Sequence, residues 1–530
     1  MPRFVAEKVA DNTIVRAVLI IILLCAALLR IYGIDSKSLE ADETFTVGIA
    51  AAENSPLDVL SIPLYNTPVA KPALYFLVTH FFLCLEDHDF LLRFPSLAFG
   101  VLGVAATYTV GTALFGRKEG LVGAFLLCIS PLHIRYSQMA RFYPLLMTFS
   151  LLSLYFLYRG MHRGDWRRWV GFIVATILNL YTHLFAFLVL LSESLFFILV
   201  WLQGFVISRR VQSTADNQGR LLKSRARVSV HRRSILILIA SLMIIGLAYL
   251  PMTPHLLESL GGPKGIVEEA ETPGLELSPW FFLGLLAEWS TGPGIGPLLF
   301  LVLFLIGALA SLRNQRMEIS LTVLWMVVPF AVLFAVPLQH RFYPRYLVFL
   351  LPLYLIVIAR GLTVFDDLVT RILGRIGDEK YGRYWLGLAV GLVVLSALTM
   401  SPLGGYYREI MSDWRSVAVF LGDSILPGET IIVRRPANQL ALSHYDERLE
   451  DVEFSVVRPR DPLPADLQYQ RGIWFVGKEG RKNEMSGLEE ELVALTEGPV
   501  FKRIFEGYGD HYLPGAGESM FWDVWVLYTR

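Results

Sequence analysis

Between Phe94 and Phe115 the chain runs 22 residues without a charged side chain. Wound as an α-helix, such a run is about 33 Å long, enough to cross the hydrocarbon core of a bilayer. In lipid a helix satisfies its own backbone N–H and C=O groups, whereas bare loop backbone does not. Ala17–Leu29 is another uncharged block, and further ones recur over residues 1–400. Charged residues make up 18% of the chain, well below the roughly 25% of soluble domains. These features predict a polytopic α-helical membrane protein.

Net charge is zero, 47 basic residues against 47 acidic, so only the distribution of charge informs. Ser208–Ser234 carries Arg209, Arg210, Arg220, Lys223, Arg225, Arg227, Arg232 and Arg233 against the single acid Asp216. Basic loops stay in the cytoplasm, which places this segment inside and leaves no need for a nucleic-acid partner. Threading outwards from it predicts about eleven spans and a cytoplasmic N-terminus. The first span, Ala17–Leu29, is expected to be retained, since no small-residue cleavage site follows it. Two long outer loops result, 34–93 and 252–280. Ala73–Leu85, with 13 apolar residues, is too short to span and is expected to lie at, or re-enter from, the outer interface. Phe281–Leu286 is a candidate for a further short helix.

Residues 401–530 differ in kind. Strand-like runs at Thr430–Val433, Ile473–Val476 and Phe521–Tyr528 alternate with amphipathic stretches such as Asp413–Leu421. They predict a small soluble α/β or α+β domain on the outer side. The three cysteines, Cys25, Cys84 and Cys128, lie in apolar stretches and form neither metal spacing nor a disulfide framework.

The polar residues that need explaining collect on the outer side, near span ends. Asp42, Glu43, Glu53, Lys71 and His80 belong to the first loop. His133, Arg135, Tyr136, Gln138, Arg141 and Tyr143 form a second group, and His340, Arg341, Tyr343, Arg345 and Tyr346 a third. Each Arg or Tyr alone could be an interface anchor, and an Asp-Glu pair after a span could be a helix cap. Together they suit a lipid-linked phosphosugar. Arginine and lysine bind phosphate, a carboxylate takes the proton of an attacking hydroxyl, and the cations stabilise the departing lipid phosphate. No Walker A, GxGxxG or GxSxG motif occurs, and no two histidines have zinc spacing. One carboxylate pair does not call for a metal or other cofactor, and a role for a divalent cation stays open.

Several stretches resemble the GT-C glycosyltransferases, nearest the protein O-mannosyltransferase and aminoarabinose-transferase group, or glycosyltransferase family 39. Leu39-Glu40-Ala41-Asp42-Glu43 resembles the acidic motif of their first external loop. Lys71-Pro72-Ala73-Leu74-Tyr75-Phe76, Leu92-Arg93-Phe94-Pro95-Ser96 and Ser130–Tyr143 follow in the same order, with weaker echoes at Arg345-Tyr346-Leu347 and Asp413-Trp414-Arg415. Ala73 stands where a second proline is common in the family, and the Trp-Trp-Asp signature of oligosaccharyltransferases is absent.

The resemblance implies a GT-C fold of about 11–13 transmembrane helices over residues 1–400, with residues 401–530 as the extracytoplasmic domain. It implies a polyprenyl-phosphate sugar donor, an inverting transfer on the outer face of the plasma membrane, and an acceptor left undefined. Asp42 would be the base and Glu43 its neighbour in substrate binding. Lys71, Arg135, Arg141, Tyr143, Arg345 and Tyr346 would bind the donor phosphate. The alternative is a transporter or flippase of a lipid-linked substrate. Such a protein should carry midplane charges and two related halves. The spans here are nearly free of charge, Glu193 excepted, and no halves repeat.

Overall fold

A computed structural model describes residues 2–61, 73–163, 165–214, 232–254, 279–292, 294–335, 344–376, 386–409, 412–457, 463, 472–478, 489–493, 500–506 and 523–529. The helical part opens with α1 (Pro2–Ile31), α2 (Ala41–Ala50), α3 (Pro56–Ser61), α4 (Ala73–Leu83) and α5 (Asp89–Leu114). It continues with α6 (Arg117–Ile129), α7 (Pro131–Ser137), α8 (Tyr143–Arg163), α9 (Trp166–Leu180), α10 (Ala186–Thr214) and α11 (Arg232–Tyr249). It closes with α12 (Pro279–Trp289), α13 (Gly296–Asn314), α14 (Arg316–Ala335), α15 (Leu351–Ile376) and α16 (Leu386–Arg408).

Among the described residues, eight helices are long and apolar enough to cross a membrane: α1, α5, α10, α11, α13, α14, α15 and α16. The bent pair α6 and α7 would make a ninth. The chain is thus a multi-pass membrane protein. The other two expected spans form helices, but α8, with 21 residues, and α9, with 15, fall outside that test of length and composition. Helix α4 is an 11-residue apolar helix, too short to span, as expected of 73–85.

The threading also places a span over Leu121–Ile134, and there the structure is bent. Leu121–Ile134 is not one straight helix, because α6 and α7 meet at 64°. The physical reason is Ser130-Pro131. The residue before a proline is pushed out of the α region, and Ser130 instead caps α7, with Pro131 at its first position. Helix α5 begins at Asp89, so Arg93 stands inside it.

Close helix crossings use glycine. A Cβ on Gly361 would lie 1.9 Å from the carbonyl oxygen of Leu303, and one on Gly307 2.2 Å from that of Val357. Helices α13 and α15 therefore touch backbone to backbone, the small-residue packing available to helices in lipid. The first half of α15, residues 351–363, is almost wholly buried in the core of the bundle.

The C-terminal domain holds α17 (Trp414–Ser424), α18 (Pro436–Tyr445) and a five-stranded sheet. Its strands are β1 (Thr430–Val433), β2 (Glu453–Val456), β3 (Ile473–Lys478), β4 (Phe501–Phe505) and β5 (Val524–Thr529), in the order β2-β1-β3-β5-β4. Strand β1 runs parallel to β2 and β3, while β5 is antiparallel to β3 and β4. Each central strand is buried on both faces, as helix-covered parallel strands are. Trp414, Val417 and Leu421 of α17 pack on Ile431, Val433 and Val476.

Candidate active site

The site is built on the first turn of α2. Glu40 caps the helix, and a capping box joins it to Glu43, whose carboxylate accepts the Glu40 N–H at 3.0 Å. Asp42 stands in that first turn, where the helix dipole favours a carboxylate.

Consecutive helical residues point about 100° apart, and Asp42 and Glu43 have different surroundings. Glu43 is buried. It accepts from the Arg93 guanidinium at 2.9 and 3.1 Å and from the Ala140 N–H at 2.7 Å. Arg93, one turn into α5, also donates to the carbonyls of Ile34, Lys37 and Ser38. Glu43 and Arg93 thus pin the 34–40 segment and the 140 segment around α2.

Asp42 faces the other way, toward two arginines. Its Oδ2 is 3.1 Å from Arg345 and 3.9 Å from Arg141, and Arg141 also donates to the Asp42 carbonyl at 3.0 Å. Arg345 comes from the 3₁₀ turn Pro344–Leu350 that leads into α15. Burial pushes the Asp42 carboxyl up, but Arg141 and then Arg345 outweigh it and hold the group below the usual carboxylate range.

Tyrosines line the rest. The Tyr143 ring stands 4.8 Å from that of Tyr136, and the Arg345 guanidinium lies 5.9 Å from the Tyr346 ring. His183 stacks on Phe142 at 4.6 Å and meets Tyr346 at 5.7 Å. Burial, then the Arg141 charge, pulls this imidazole down to about 3, so it is neutral at ordinary pH and packs as an aromatic ring. Arg141 Nε and the Tyr143 hydroxyl are buried, with no hydrogen-bond partner among the described residues. Buried polar atoms without partners are uncommon in folded proteins, and here two of them belong to the residues around Asp42.

Arg135 is not in this group. It pairs with Glu40 at 3.7 Å and lines a small neighbouring cleft with Lys37, Glu40, Glu43, Arg93, Gln138 and Tyr406. There Lys37 pairs with Glu409 at 3.7 Å. Burial brings the Lys37 ammonium down to about 8, with Glu409 working against it. Lys71, His340, Arg341 and Tyr343 lie outside the described residues. Glu53 and His80 stay apart from Asp42. Glu53 is exposed past the end of α2, and His80 meets the carbonyls of Ala50 and Ala51.

Three residues around the site are not apparent from sequence patterning. Arg30, inside α1, reaches the Leu127 and Cys128 carbonyls at the end of α6 and both Ser137 and His133 of α7, so a cation caps the break in that span. Gly100 lets α7 come this close, since a Cβ there would lie 2.3 Å from Ser137 Oγ. Burial pushes the carboxyl of Glu288, in α12, up to about 7, with the Arg135 charge working against it. A charge inside a span, a glycine followed by a second at 103, and an acid beside Trp289 are the only signals the sequence offers for them.

The structure is thus a multi-pass helical bundle with an acid-and-arginine cluster at the first turn of α2 and a small sheet domain beside it. Residues 70–211 match the family described as dolichyl-phosphate-mannose-protein mannosyltransferase. The structure is similar to ArnT from Cupriavidus metallidurans in the apo state, with a TM-score of 0.55, 12% identity and 98% of each chain covered. The same protein bound to undecaprenyl phosphate gives 0.54 and 13%, over 96% of this chain and 97% of that one. The archaeal oligosaccharyltransferase AglB from Archaeoglobus fulgidus, in complex with an inhibitory peptide and a dolichol-phosphate, gives 0.54 and 12%, over 93% and 73%. No curated protein matches the chain in sequence. By these matches the chain shares its fold with ArnT and AglB.

Proposed function

We propose that the chain is an inverting membrane glycosyltransferase that takes its sugar from a polyprenyl-phosphate donor on the extracytoplasmic face, with Asp42 as the base. The observation that carries this reading is the contact of Asp42 with Arg345 and Arg141 at 3.1 and 3.9 Å. Two cations beside one carboxylate can hold a phosphodiester against a base. The ArnT structure with undecaprenyl phosphate and the AglB structure with dolichol-phosphate support the lipid class. The basic Ser208–Ser234 segment supports the orientation, with the N-terminus in the cytoplasm and the site and C-terminal domain on the other side of the plasma membrane.

In this reading the donor phosphate enters between Arg141 and Arg345 and draws part of their charge away from Asp42. The acceptor hydroxyl gives its proton to the freed carboxylate as its oxygen bonds to the anomeric carbon. The bond from that carbon to the phosphate oxygen breaks, and the lipid phosphate leaves with its added negative charge against the two guanidiniums. Attack from the face opposite the phosphate inverts the anomeric centre. The buried hydroxyl of Tyr143 is placed to donate to a phosphate oxygen, and Tyr346 walls the site. Arg135, in the adjoining cleft, serves the sugar or acceptor side. Glu43 acts through structure, fixing the turn that presents Asp42. Lys71 remains a candidate phosphate ligand on its motif alone.

The test uses the purified full chain in lipid nanodiscs, with a panel of undecaprenyl- and dolichyl-phosphate sugars. Asp42→Asn should lose about 10²–10⁴-fold in turnover while still binding undecaprenyl phosphate. Full turnover in that variant removes Asp42 as the base.

A further inference from the structure

One polar node between the C-terminal domain and the membrane part centres on Asp89. Asp89, the first residue of α5, is buried. It accepts from Arg415 at 2.8 Å, from His444 Nε2 at 2.9 Å and from the Tyr445 hydroxyl at 3.1 Å. All three donors belong to α17 or α18 of the soluble domain.

The same domain grips the segment that leads into α2. The Tyr445 hydroxyl, while donating to Asp89, accepts the backbone N–H of Leu39 at 2.8 Å. The Arg415 N–H donates to Ser38 Oγ, and the Arg415 guanidinium to the Asp35 carbonyl. Tyr445 packs into a small apolar cluster of Leu39, Ala50, Leu83, Leu92 and Ala140, which belong to the membrane part. Further along, Leu440 of α18 lies 3.7 Å from where a Cβ on Gly48 would stand, so α18 runs beside α2.

Asp42 is three residues past Leu39, in the first turn of α2. That turn is therefore held from two sides: by Arg93 through Glu43 and by Tyr445 through Leu39. We propose that the soluble domain is a working part of the active site, and that Tyr445, anchored on Asp89 with His444, is a positioning residue that sets Asp42 toward Arg345. The proposal rests on the glycosyltransferase reading for its consequence, not for its geometry. A side chain holding a reactive group must fix it to a fraction of an ångström, and small misplacements are costly in rate.

The test compares the full chain with Tyr445→Phe, His444→Gln and His444→Ala in nanodiscs, with two readouts. The first is hydrogen exchange of the 39–46 backbone. Tyr445→Phe removes the acceptor of the Leu39 amide, and exchange there should quicken about fivefold, the worth of one net hydrogen bond. The second is turnover with a polyprenyl-phosphate sugar. In Tyr445→Phe, kcat should fall roughly tenfold to a hundredfold with KM for the donor unchanged. His444→Gln, which keeps an N–H donor to Asp89, should retain kcat, and His444→Ala should not. Wild-type exchange and wild-type kcat in Tyr445→Phe overturn the proposal. A joint loss of kcat, donor affinity and melting temperature overturns it as well, since that marks general damage to the fold. If the wild-type chain turns over no donor, the glycosyltransferase reading fails, and unchanged exchange in Tyr445→Phe still sinks the clasp.

Discussion

If a donor phosphate takes Arg345 and Arg141 away from Asp42, the carboxyl should be harder to ionise in the donor complex than in the free protein. Asp42 stands 3.1 Å from Arg345, with 31% and 26% of the two side chains exposed. Coulomb attraction at that distance is about 1.3 kcal/mol in water and about 5 kcal/mol at the effective dielectric of a protein surface. The partial exposure favours the screened end. A phosphodiester monoanion cancels about one of the two facing charges, which corresponds to at least about one pH unit. The pH dependence of kcat/KM reports the free protein and that of kcat the complex. The acid limb of kcat/KM should lie below the ordinary carboxylate range, and the limb of kcat about one unit or more higher. Arg345→Gln should raise the limb of kcat/KM and shrink the gap. Turnover measured across the acid range in nanodiscs decides it. Coincident limbs, or a kcat limb at lower pH, refute the exchange of partners. Stability has the matching sign. A carboxyl held low in the folded state stabilises above its unfolded value, and that contribution is lost as pH falls through the folded one.

Two further outcomes follow from the packing. Arg93→Met leaves the buried Glu43 without its cation and should cost about 3–5 kcal/mol, read as a lower melting temperature; adding Glu43→Gln should recover part of it, and simple additivity of the two changes would show that the pair is not coupled. Gly361→Ala drives a Cβ into the Leu303 carbonyl, which cannot swing aside as a side chain would, and should cost about 1–3 kcal/mol by the same measurement, while unchanged melting would mean that α13 and α15 can part freely.

The sequence was enough for the class of molecule and for the pieces of the site. Apolar blocks of span length have one physical outcome, because lipid leaves the backbone no other partner. The runs at Thr430–Val433 and Ile473–Val476 were readable as strands because fully buried strands are continuously apolar. The motif Leu39–Glu43 drew attention to Asp42, and its order with the Ser130–Tyr143 stretch and Arg345 suggested the fold.

What the sequence could not settle is which of these charges meet. Asp42 and Glu43 are neighbours with the same chemistry, yet one faces Arg345 and Arg141 and the other is locked to Arg93. Only the direction in which α2 is clamped separates them. Arg135 and Arg141 sit in one motif, but the Ser130-Pro131 break turns α7 so that Arg135 meets Glu40 instead of Asp42. Arg345 lies some three hundred residues from Asp42 and joins it only because α15 packs in the core of the bundle. The hold of Tyr445 on Leu39 likewise crosses from one domain to the other. Local patterning reports the environment of a residue along its own helix or strand. Pairing between distant charges depends on how those elements pack, and in this chain that packing decides which carboxylate stands before the cations.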